Sequence, residues 1–460
     1  MQIAHLLRPT LAIKTSDVIV LSCSALLFIW TLPETIALRN ILLAVGFLAS
    51  LNFLWSFKSR VTIKSSWPIL ILFSLFFWLL LHLYFFSIEP HLQLNELSGA
   101  WMRALLSVPL GLALGILLEQ STSYAPENLS AHRQWYPYSL FVGLCGLGIV
   151  CLSRYILEIF ITQNFLHHNL LLTIYKAKQP FVIANVFLLP LCFILIKRYF
   201  FDKVKLTWVL LSIFGISICI FCSYFVNTKN GVAIFTLIFI AFILSILVNL
   251  KGSPKRLGSS HWILIFIFFI SIYGIYKHIQ SNPTWHEMIS DAEIGVDIDD
   301  HNFWKHAPGN PIPLNHLGNP VDVSTYERTA WFTAGLRLLY ENPFGYGLIN
   351  HSFGSLASKK WPEFKIQSEK LRGATHSGWL DLTLGIGVPG ILLILIPLWT
   401  SWIRSLSLDG VWSSYVTWTV PAIFFSYLTT EVSVGHFVEM LLFINSLFCG
   451  ITMQYSKKIG

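Results

Sequence analysis

The chain has 460 residues, of which 55% are hydrophobic and only 12% are charged. Soluble domains carry about 25% charged residues, so this composition excludes an ordinary soluble protein and favours one embedded in a membrane. The formal net charge of +8 does not indicate nucleic-acid binding, because the basic residues lie in short segments between apolar runs. There they set membrane orientation and meet lipid headgroups, so we expect membrane lipids and no nucleic acid as partners.

Apolar runs near the length that crosses a bilayer, about 20 residues, occupy most of the sequence. They predict an all-α integral membrane protein with about twelve transmembrane helices and one large polar loop. The seven cysteines all lie inside these runs, so no disulfide framework is expected. The predicted spans are 17–32, 38–57, 67–87, 101–118, 137–158, 180–197, 206–226, 231–250, 261–279, 376–401, 412–429 and 433–453.

The lysines and arginines predict the orientation, because positive charge concentrates in short cytoplasmic segments. If the N-terminus is cytoplasmic, the segments rich in lysine and arginine fall on the cytoplasmic side, and the short segments between them, on the outer side, carry few. With twelve spans, both termini then face the cytoplasm. Residues 1–279 then form an N-terminal region of about nine helices, residues 280–375 a large loop on the outer side, and residues 376–460 a C-terminal region of about three helices. The predicted cytoplasmic basic residues are Arg8, Lys14, Lys58, Arg60, Lys64, Arg133, Lys197, Arg198, Lys203, Lys205, Lys251, Lys255, Arg256, Arg404, Lys457 and Lys458.

The large loop divides into two parts. Its acidic first half contains Asp297-Ile-Asp299, which resembles the metal motif of nucleotide-sugar transferases. A loop that faces outward meets no such donor, so we interpret this half as solvated and expect no metal ion. In the second half, apolar residues recur at helical spacing from Thr329 to Tyr340, which predicts a short amphipathic helix at the membrane surface. Phe344 to Gly347 predicts a tight turn.

Ionisable residues at the membrane edge are candidates for function because their burial is costly. On the outer side, Lys229 directly precedes a helix that runs inward. A helix N-terminus with a nearby cation binds phosphate well. Arg328 opens the amphipathic segment and offers paired donors to phosphate. From the residues alone, each could equally be a basic side chain that reaches lipid headgroups. Further candidates on this side are Lys176, Lys178, Arg337, Arg372 and Glu431.

His376 lies at the start of another inward-running helix. The helix dipole there disfavours imidazolium and favours the neutral form, which accepts a proton. Asp381, about one turn further on, is placed to orient the ring or to raise its pKa. The alternative is a histidine that only caps the helix, and the residues alone do not separate the two.

Four motifs occur in a fixed order: Arg328-Thr-Ala-Trp, then Asn342-Pro343-Phe344-Gly345-Tyr346-Gly347, then Thr375-His376-Ser377-Gly378-Trp379-Leu380-Asp381, and finally Gly385-Ile-Gly387-Val-Pro389-Gly390. Together they resemble the O-antigen ligase family, by motif over roughly residues 220–400 and by topology over the whole chain.

The resemblance implies a glycosyltransferase with a C-type fold in the bacterial inner membrane. Its donor is a glycan on undecaprenyl diphosphate, and it uses no cofactor, metal ion or nucleotide. Ligases pass the glycan to lipid A-core, related polymerases to another lipid-linked repeat unit, and related oligosaccharyltransferases to a protein hydroxyl. In this sequence the resemblance assigns the base to His376 and diphosphate binding to Lys229 and Arg328. Asp381, Arg372, Arg337, Lys176, Lys178 and Glu431 are the supporting candidates.

The chemistry supports an enzyme independently. Diphosphate is a good leaving group, so the reaction needs positive charge on the diphosphate and one base for the acceptor hydroxyl. A transporter of lipid-linked glycans is the alternative from another class. Transporters place charges near the bilayer midplane and often contain internal repeats. The candidate charges here lie at one face, and no repeat is visible in the sequence, which favours the enzyme.

Overall fold

The computed structural model describes residues 14–58, 62–123, 135–162, 178–202, 205–226, 228–252, 261–281, 284–350, 352–364, 373–431 and 435–453. Within these ranges the chain is helical apart from turns and one isolated β-bridge. The helices are α1 Thr15–Ile29, α2 Ile36–Phe57, α3 Ile63–Phe85, α4 Pro90–Glu96, α5 Met102–Ser123, α6 Tyr136–Thr162, α7 Gln179–Asp202, α8 Leu206–Val226, α9 Lys229–Gly252, α10 His261–Ser281, α11 Thr284–Val296, α12 Val323–Glu341, α13 Ser352–Lys360, α14 Gly378–Ser405, α15 Val411–Thr429 and α16 His436–Ile451.

Each of the twelve predicted spans overlaps one of these helices, although several helices extend beyond the predicted bounds. Eight helices among the described residues are long and apolar enough to cross a membrane, with α4 and α5 counted as one. Two shorter apolar helices, α1 and α16, accompany them. The chain is therefore a multi-pass membrane protein. The number of crossings and the side on which the large loop lies stay predictions from the sequence.

Among the described residues, the most extensive helix packing joins α5 to α16. A Cβ atom added at Gly111 would lie 2.2 Å from the Phe443 carbonyl oxygen, and one at Gly115 would lie 2.2 Å from the Leu447 carbonyl oxygen. Small residues at such contacts let two backbones approach and gain dispersion contacts, which drive helix association in lipid. Near one end of this pair, the fully buried Glu439 carboxylate accepts hydrogen bonds from Arg103 Nε at 2.5 Å and Trp30 Nε1 at 3.3 Å. These contacts join α1, α5 and α16.

Helices α11, α12 and α13 form a second apolar core, which we call the connecting layer. It is built around Trp304, Tyr326, Ala330, Leu338 and Phe353, all buried. The structure differs here from the sequence-based expectation. The acidic half of the loop contains α11, and the Asp291 side chain is fully buried rather than solvated. Its carboxylate accepts hydrogen bonds from Asn315 Nδ2 at 2.9 Å and the Asp322 amide at 3.2 Å, which satisfy it without solvent.

The helix in the second half of the loop is longer than predicted. The predicted amphipathic segment is part of α12, which begins at Val323 rather than Thr329. Its buried residues, including Tyr326, Ala330, Ala334 and Leu338, pack into the core of the connecting layer. This face is therefore covered by protein. Arg328 lies in the second turn of the helix and does not open it.

The connecting layer is joined to α14 at a break in that helix. Gly387 has φ 75° and ψ 170°, and a Cβ atom there would lie 2.1 Å from the Phe344 carbonyl oxygen. The predicted turn pairs with the break: Tyr346 N donates to Leu384 O and Gly347 N to Gly385 O, both at 2.7 Å. Trp78 Nε1 donates to the Ile386 carbonyl at 2.8 Å. Because these bonds satisfy the exposed backbone groups, the break is tolerated within an apolar helix.

Candidate functional site

A cavity of about 700 Å³ lies where the connecting layer meets the ends of α9 and α15. Its walls come from five segments: the start of α9, one face of α11, one face of α12, the turn before α14 and the end of α15. The structure thus brings Lys229, Arg328 and His376, which lie far apart in sequence, around one space. The remaining lining residues are Asn230, Ala233, Trp285, Met288, Ile289, Ala292, Glu293, Val296, Ser324, Thr325, Thr329, Phe332, Thr375, Ser377, Phe425, Leu428 and Thr429.

Lys229 is the first residue of α9, and an aspartate fixes its side chain at the cavity wall. Its Nζ atom lies 3.3 Å from Asp322 Oδ2, and the same oxygen accepts a hydrogen bond from Thr325 Oγ1 at 2.7 Å. Burial tends to raise the pKa of Asp322, but the Thr325 hydrogen bond and the Lys229 charge hold that pKa below its ordinary value. The ammonium group thus has one anionic neighbour and donors left for a ligand.

Arg328 and Lys178 add positive charge to the same region. Arg328 lines the cavity from α12. Burial lowers its pKa, and the carboxylates of Asp322 and Glu431 act against that shift. Lys178 directly precedes α7, and its pKa is lowered by burial and by the charges of Arg328 and Lys229. Lys178 is therefore close enough to both Arg328 and Lys229 for their charges to act on it, and this concentration of positive charge favours binding of an anion with more than one charge.

His376 has φ 57°, a left-handed conformation that is strained for a residue with a side chain. Its ring stacks on Trp331, with centroids 5.3 Å apart and planes 6° apart. On another side, His376 Nδ1 lies 3.6 Å from Glu431 Oε2. Trp331 is itself held, since its Nε1 donates to the Trp304 carbonyl at 3.0 Å. The ring therefore sits between an aromatic face and a carboxylate.

The turn around His376 is fixed by its neighbours. Asp381 Oδ1 accepts hydrogen bonds from the Thr375 amide and the Thr375 hydroxyl, both at 2.8 Å. Ser377 caps α14 by accepting from the Leu380 amide, and the Gly378 amide donates to the Thr430 carbonyl at 3.0 Å. From the sequence, Asp381 is placed to orient the imidazole or to raise its pKa. These contacts also give it a role in holding the backbone before and after His376.

Asn230 ties α9 to the chain segment that carries Glu431. Its Nδ2 atom donates to the Thr429 carbonyl at 2.6 Å and to Thr430 Oγ1 at 3.0 Å. Neither this role of Asn230 nor the stacking of Trp331 on His376 was predicted from the sequence. The position of Trp331 could have been predicted from its spacing. It follows Arg328 by three residues, so in a helix the two side chains lie on the same face.

The histidine and the glutamate have opposite pKa shifts. Burial, aided by the charge of Arg328, lowers the pKa of His376 to about 3, so the ring is neutral at physiological pH. Burial raises the pKa of Glu431, and Arg328 acts against part of this rise. The neutral state that the sequence predicted from a helix dipole thus has a different main cause, the removal of water from the ring.

Other candidates lie elsewhere. Both guanidinium nitrogens of the Arg337 fork bind Asp299, at 2.7 and 2.6 Å, on an exposed part of the connecting layer and away from the cavity lining. Lys176 and Arg372 are outside the described residues. No group of three or more histidine, cysteine, aspartate or glutamate side chains suited to a metal ion occurs among the residues that the structure describes.

This arrangement can hold a charged phosphate ester against Lys229 and Arg328 and present a neutral imidazole to a hydroxyl group. Comparison with curated proteins found no match. A family model described as O-antigen ligase matches residues 171–395, a range that includes Lys229, Arg328 and His376. The resemblance seen in the motifs is thereby confirmed: residues 171–395 form a domain of the O-antigen ligase family, whose members are glycosyltransferase-like enzymes of O-antigen processing.

Proposed function

We propose that this protein is an O-antigen ligase that moves a glycan from undecaprenyl diphosphate to lipid A-core. In this proposal it resides in the bacterial inner membrane, its site faces the periplasm, and the reaction needs no metal ion. The observation that carries the proposal is the single cavity shared by Lys229, Arg328 and His376. It supplies the two requirements of the reaction, positive charge for a diphosphate and a proton acceptor for a hydroxyl.

Lys229 and Arg328 bind the donor diphosphate from two different segments, α9 and α12. Arg328 offers a planar fork to two phosphate oxygens, and Lys229 offers a point charge. Lys178 strengthens the field at longer range. As the bond between the anomeric carbon and the diphosphate oxygen breaks, its electron pair stays on the diphosphate. The fixed cations stabilise that growing negative charge, which is how such a site lowers the barrier.

His376 takes the proton from the acceptor hydroxyl as that oxygen bonds to the anomeric carbon. With Nδ1 protonated toward Glu431, the lone pair on Nε2 is available to accept. The imidazolium that forms is stabilised by the nearby Glu431 carboxylate. The bound diphosphate contributes as well, since it offsets the Arg328 charge that disfavours protonation of the ring in the empty site. Donor binding therefore makes His376 a stronger base.

The acceptor decides between the ligase and its relatives, and surface glycans from cells that lack this protein test it. Free lipid A-core together with long lipid-linked polymer is the expected result. Core capped by a single repeat unit would instead identify a polymerase, and intact lipopolysaccharide with unglycosylated proteins would identify a protein-directed transferase. With purified protein, transfer to lipid A-core should continue in the presence of a chelator. Movement of lipid-linked glycan across vesicles without transfer would identify a transporter.

A further inference from the structure

A second pair of a histidine and a glutamate lies in the connecting layer, outside the cavity. His306, in the segment between α11 and α12, places its Nε2 atom 3.4 Å from Oε1 of Glu327 on α12. Only 14% of the His306 side chain and 16% of the Glu327 side chain are exposed. Neither residue lines the cavity, so the pair does not contact the space that the proposed function gives to the donor.

Trp331 connects this pair to His376. It follows Glu327 by four residues in α12, so the two side chains lie on the same face of that helix. The ring of Trp331 contacts the ring of His306, with centroids 5.7 Å apart and planes at 62°. The same indole ring stacks on His376, as described above. One side chain of α12 therefore contacts both histidines.

The backbone of His306 is strained in the same way as that of His376. His306 follows a single 3-10 turn, Phe303–Lys305, and has φ 52° and ψ 21°. Among the residues that the structure describes, three other than glycine have a positive φ, and two of these are the histidines that contact Trp331. Such strain costs about 1–3 kcal/mol at each residue and is concentrated at functional sites. Here it places the His306 ring against Trp331 and Glu327.

The charge states of the pair suit its burial. Burial raises the pKa of Glu327 to about 7 and lowers the pKa of His306. Near neutral pH, a single proton can therefore lie on the carboxyl group or on the ring nitrogen that faces it. Glutamate and histidine can each donate or accept a hydrogen bond, according to which of them carries that proton. The contact thus persists on both sides of the Glu327 pKa.

We infer that Glu327 and His306 are positioning residues, which hold Trp331 and, through it, the ring of His376. This inference rests on the proposed function, because it takes His376 as the base for the acceptor hydroxyl. A displacement of about 1 Å in a reacting group can lower the rate by about 100-fold. Since neither residue lines the cavity, their loss should lower kcat and leave the donor KM unchanged.

Two substitutions of Glu327 separate its hydrogen bonding from its volume. Glu327→Leu leaves a buried ring nitrogen without its carboxyl partner and should lower kcat by about tenfold or more, at constant donor KM. Glu327→Gln keeps a donor and an acceptor beside His306 and should retain most of the wild-type rate. Glu341→Leu, on the same helix in an exposed pair with Lys360, is the matched control and should behave as the wild type. Wild-type kcat in Glu327→Leu, or equal losses in Glu327→Leu and Glu327→Gln, would overturn the inference.

A double substitution separates positioning from a general loss of structure. If Glu327 acts through His376, then Glu327→Leu should lower the residual rate of His376→Ala no further. An additional loss of the same size as in the single variant would refute the inference, because Glu327 would then act by another route.

Chemical modification of His376 tests the same contact without turnover. Diethyl pyrocarbonate should modify His376 faster in Glu327→Leu than in the wild type or in Glu341→Leu, because the ring loses its fixed aromatic neighbour. Mass spectrometry of the His376 peptide measures the rate, and equal rates in all three proteins would overturn the inference. If His376→Ala transfers glycan at the wild-type rate, the proposed function fails, while the modification rates still decide whether the pair holds the ring.

Discussion

The backbone of His376 has a strained, left-handed conformation, and its ring lies between Trp331 and Glu431. Such strain is typical of a residue whose position matters for chemistry. We expect His376→Ala to lower kcat by about 10²- to 10⁴-fold, the usual cost of removing a general base. His376→Gln should do little better, because an amide cannot take the proton. Donor affinity, measured by titration with a lipid diphosphate, should stay near the wild-type value.

His316→Gln is the control for this experiment, because it removes a histidine beside a glutamate at an exposed position. His316 is 63% exposed, and its Nε2 atom lies 3.4 Å from the carboxylate of Glu293, a residue of α11. It should transfer glycan at the wild-type rate. If His376→Ala loses donor affinity in step with kcat, His376 is a binding residue, and Glu431 becomes the next candidate for the base.

The acid side of the pH profile should belong to Glu431. In the empty site the pKa of His376 is lowered to about 3, so the ring of the free enzyme, to which kcat/KM refers, stays neutral throughout the working range. The pKa of Glu431 is raised, so its carboxylate is lost at a higher pH than usual. Because the mechanism needs the carboxylate to stabilise imidazolium, kcat/KM should fall as pH decreases through the raised pKa of Glu431.

Glu431→Gln separates the two groups. The variant should have a lower kcat and a flatter acid side in kcat/KM, because an amide that does not titrate then replaces the Glu431 carboxylate. An acid side that is unchanged in Glu431→Gln would show that another group controls it.

Replacement of one basic residue by the other should affect donor binding differently at Arg328 and Lys229. Arg328→Lys replaces a fork by a point charge and should weaken donor binding by about 10- to 100-fold, the range expected for lost hydrogen bonds between charged groups. Lys229→Arg keeps a charge beside Asp322 and should be milder. Donor dissociation constants measure both, with Arg337→Lys, in its exposed pair with Asp299, as control. Equal affinity in Arg328→Lys and the wild type would contradict the assignment.

At the scale of the helices, the break in α14 sets where the His376 turn lies relative to the connecting layer. Gly387→Ala should lower both thermal stability and transfer rate. Gly387 has φ 75° and ψ 170°, a combination essentially restricted to glycine, so a residue with a side chain there costs about 1–3 kcal/mol. The added carbon would also meet the Phe344 carbonyl. Thermal inactivation in detergent measures the first effect and initial rates the second.

Gly274 in α10 is the matched control, because a Cβ atom added there meets nothing within 4 Å. Gly274→Ala should leave stability and rate unchanged. Normal activity in Gly387→Ala would mean that the turn before α14 is positioned without the break.

At the scale of the whole molecule, the predicted topology places residues 280–375 outside the cytoplasm. A cysteine introduced at Asn310 should react with a membrane-impermeant reagent in intact cells, and one at Ser253 should not. The seven natural cysteines are all buried, so they give little background. Reaction at Ser253 alone would reverse the orientation and with it the mechanism.

The sequence predicted much of this molecule because apolar length and motif order are local signals. Each predicted span overlaps one helix, and Lys229, Arg328 and His376 do line one cavity. The features that the sequence did not predict depend on contacts between residues that are distant in sequence. Burial of Asp291 requires Asn315, and the position of Glu431 depends on Asn230, some two hundred residues earlier. Helix α11 was missed because its acidic residues resemble a solvated loop until their partners are known.

The break at Gly387 also bears on how the protein meets bilayers of different thickness. An unbroken helix adapts to hydrophobic mismatch by tilting as one rod, which would move both of its ends. Here the break is bonded to the turn on both sides, since Tyr346 N and Gly347 N donate to the residues before Gly387 and Val388 N donates to the Pro343 carbonyl at 2.8 Å. The rest of α14 continues into the apolar bundle. The part of α14 that follows the break can therefore tilt while the turn before the helix stays in place. The distance between the His376 ring and the cations then does not change with the thickness of the surrounding bilayer.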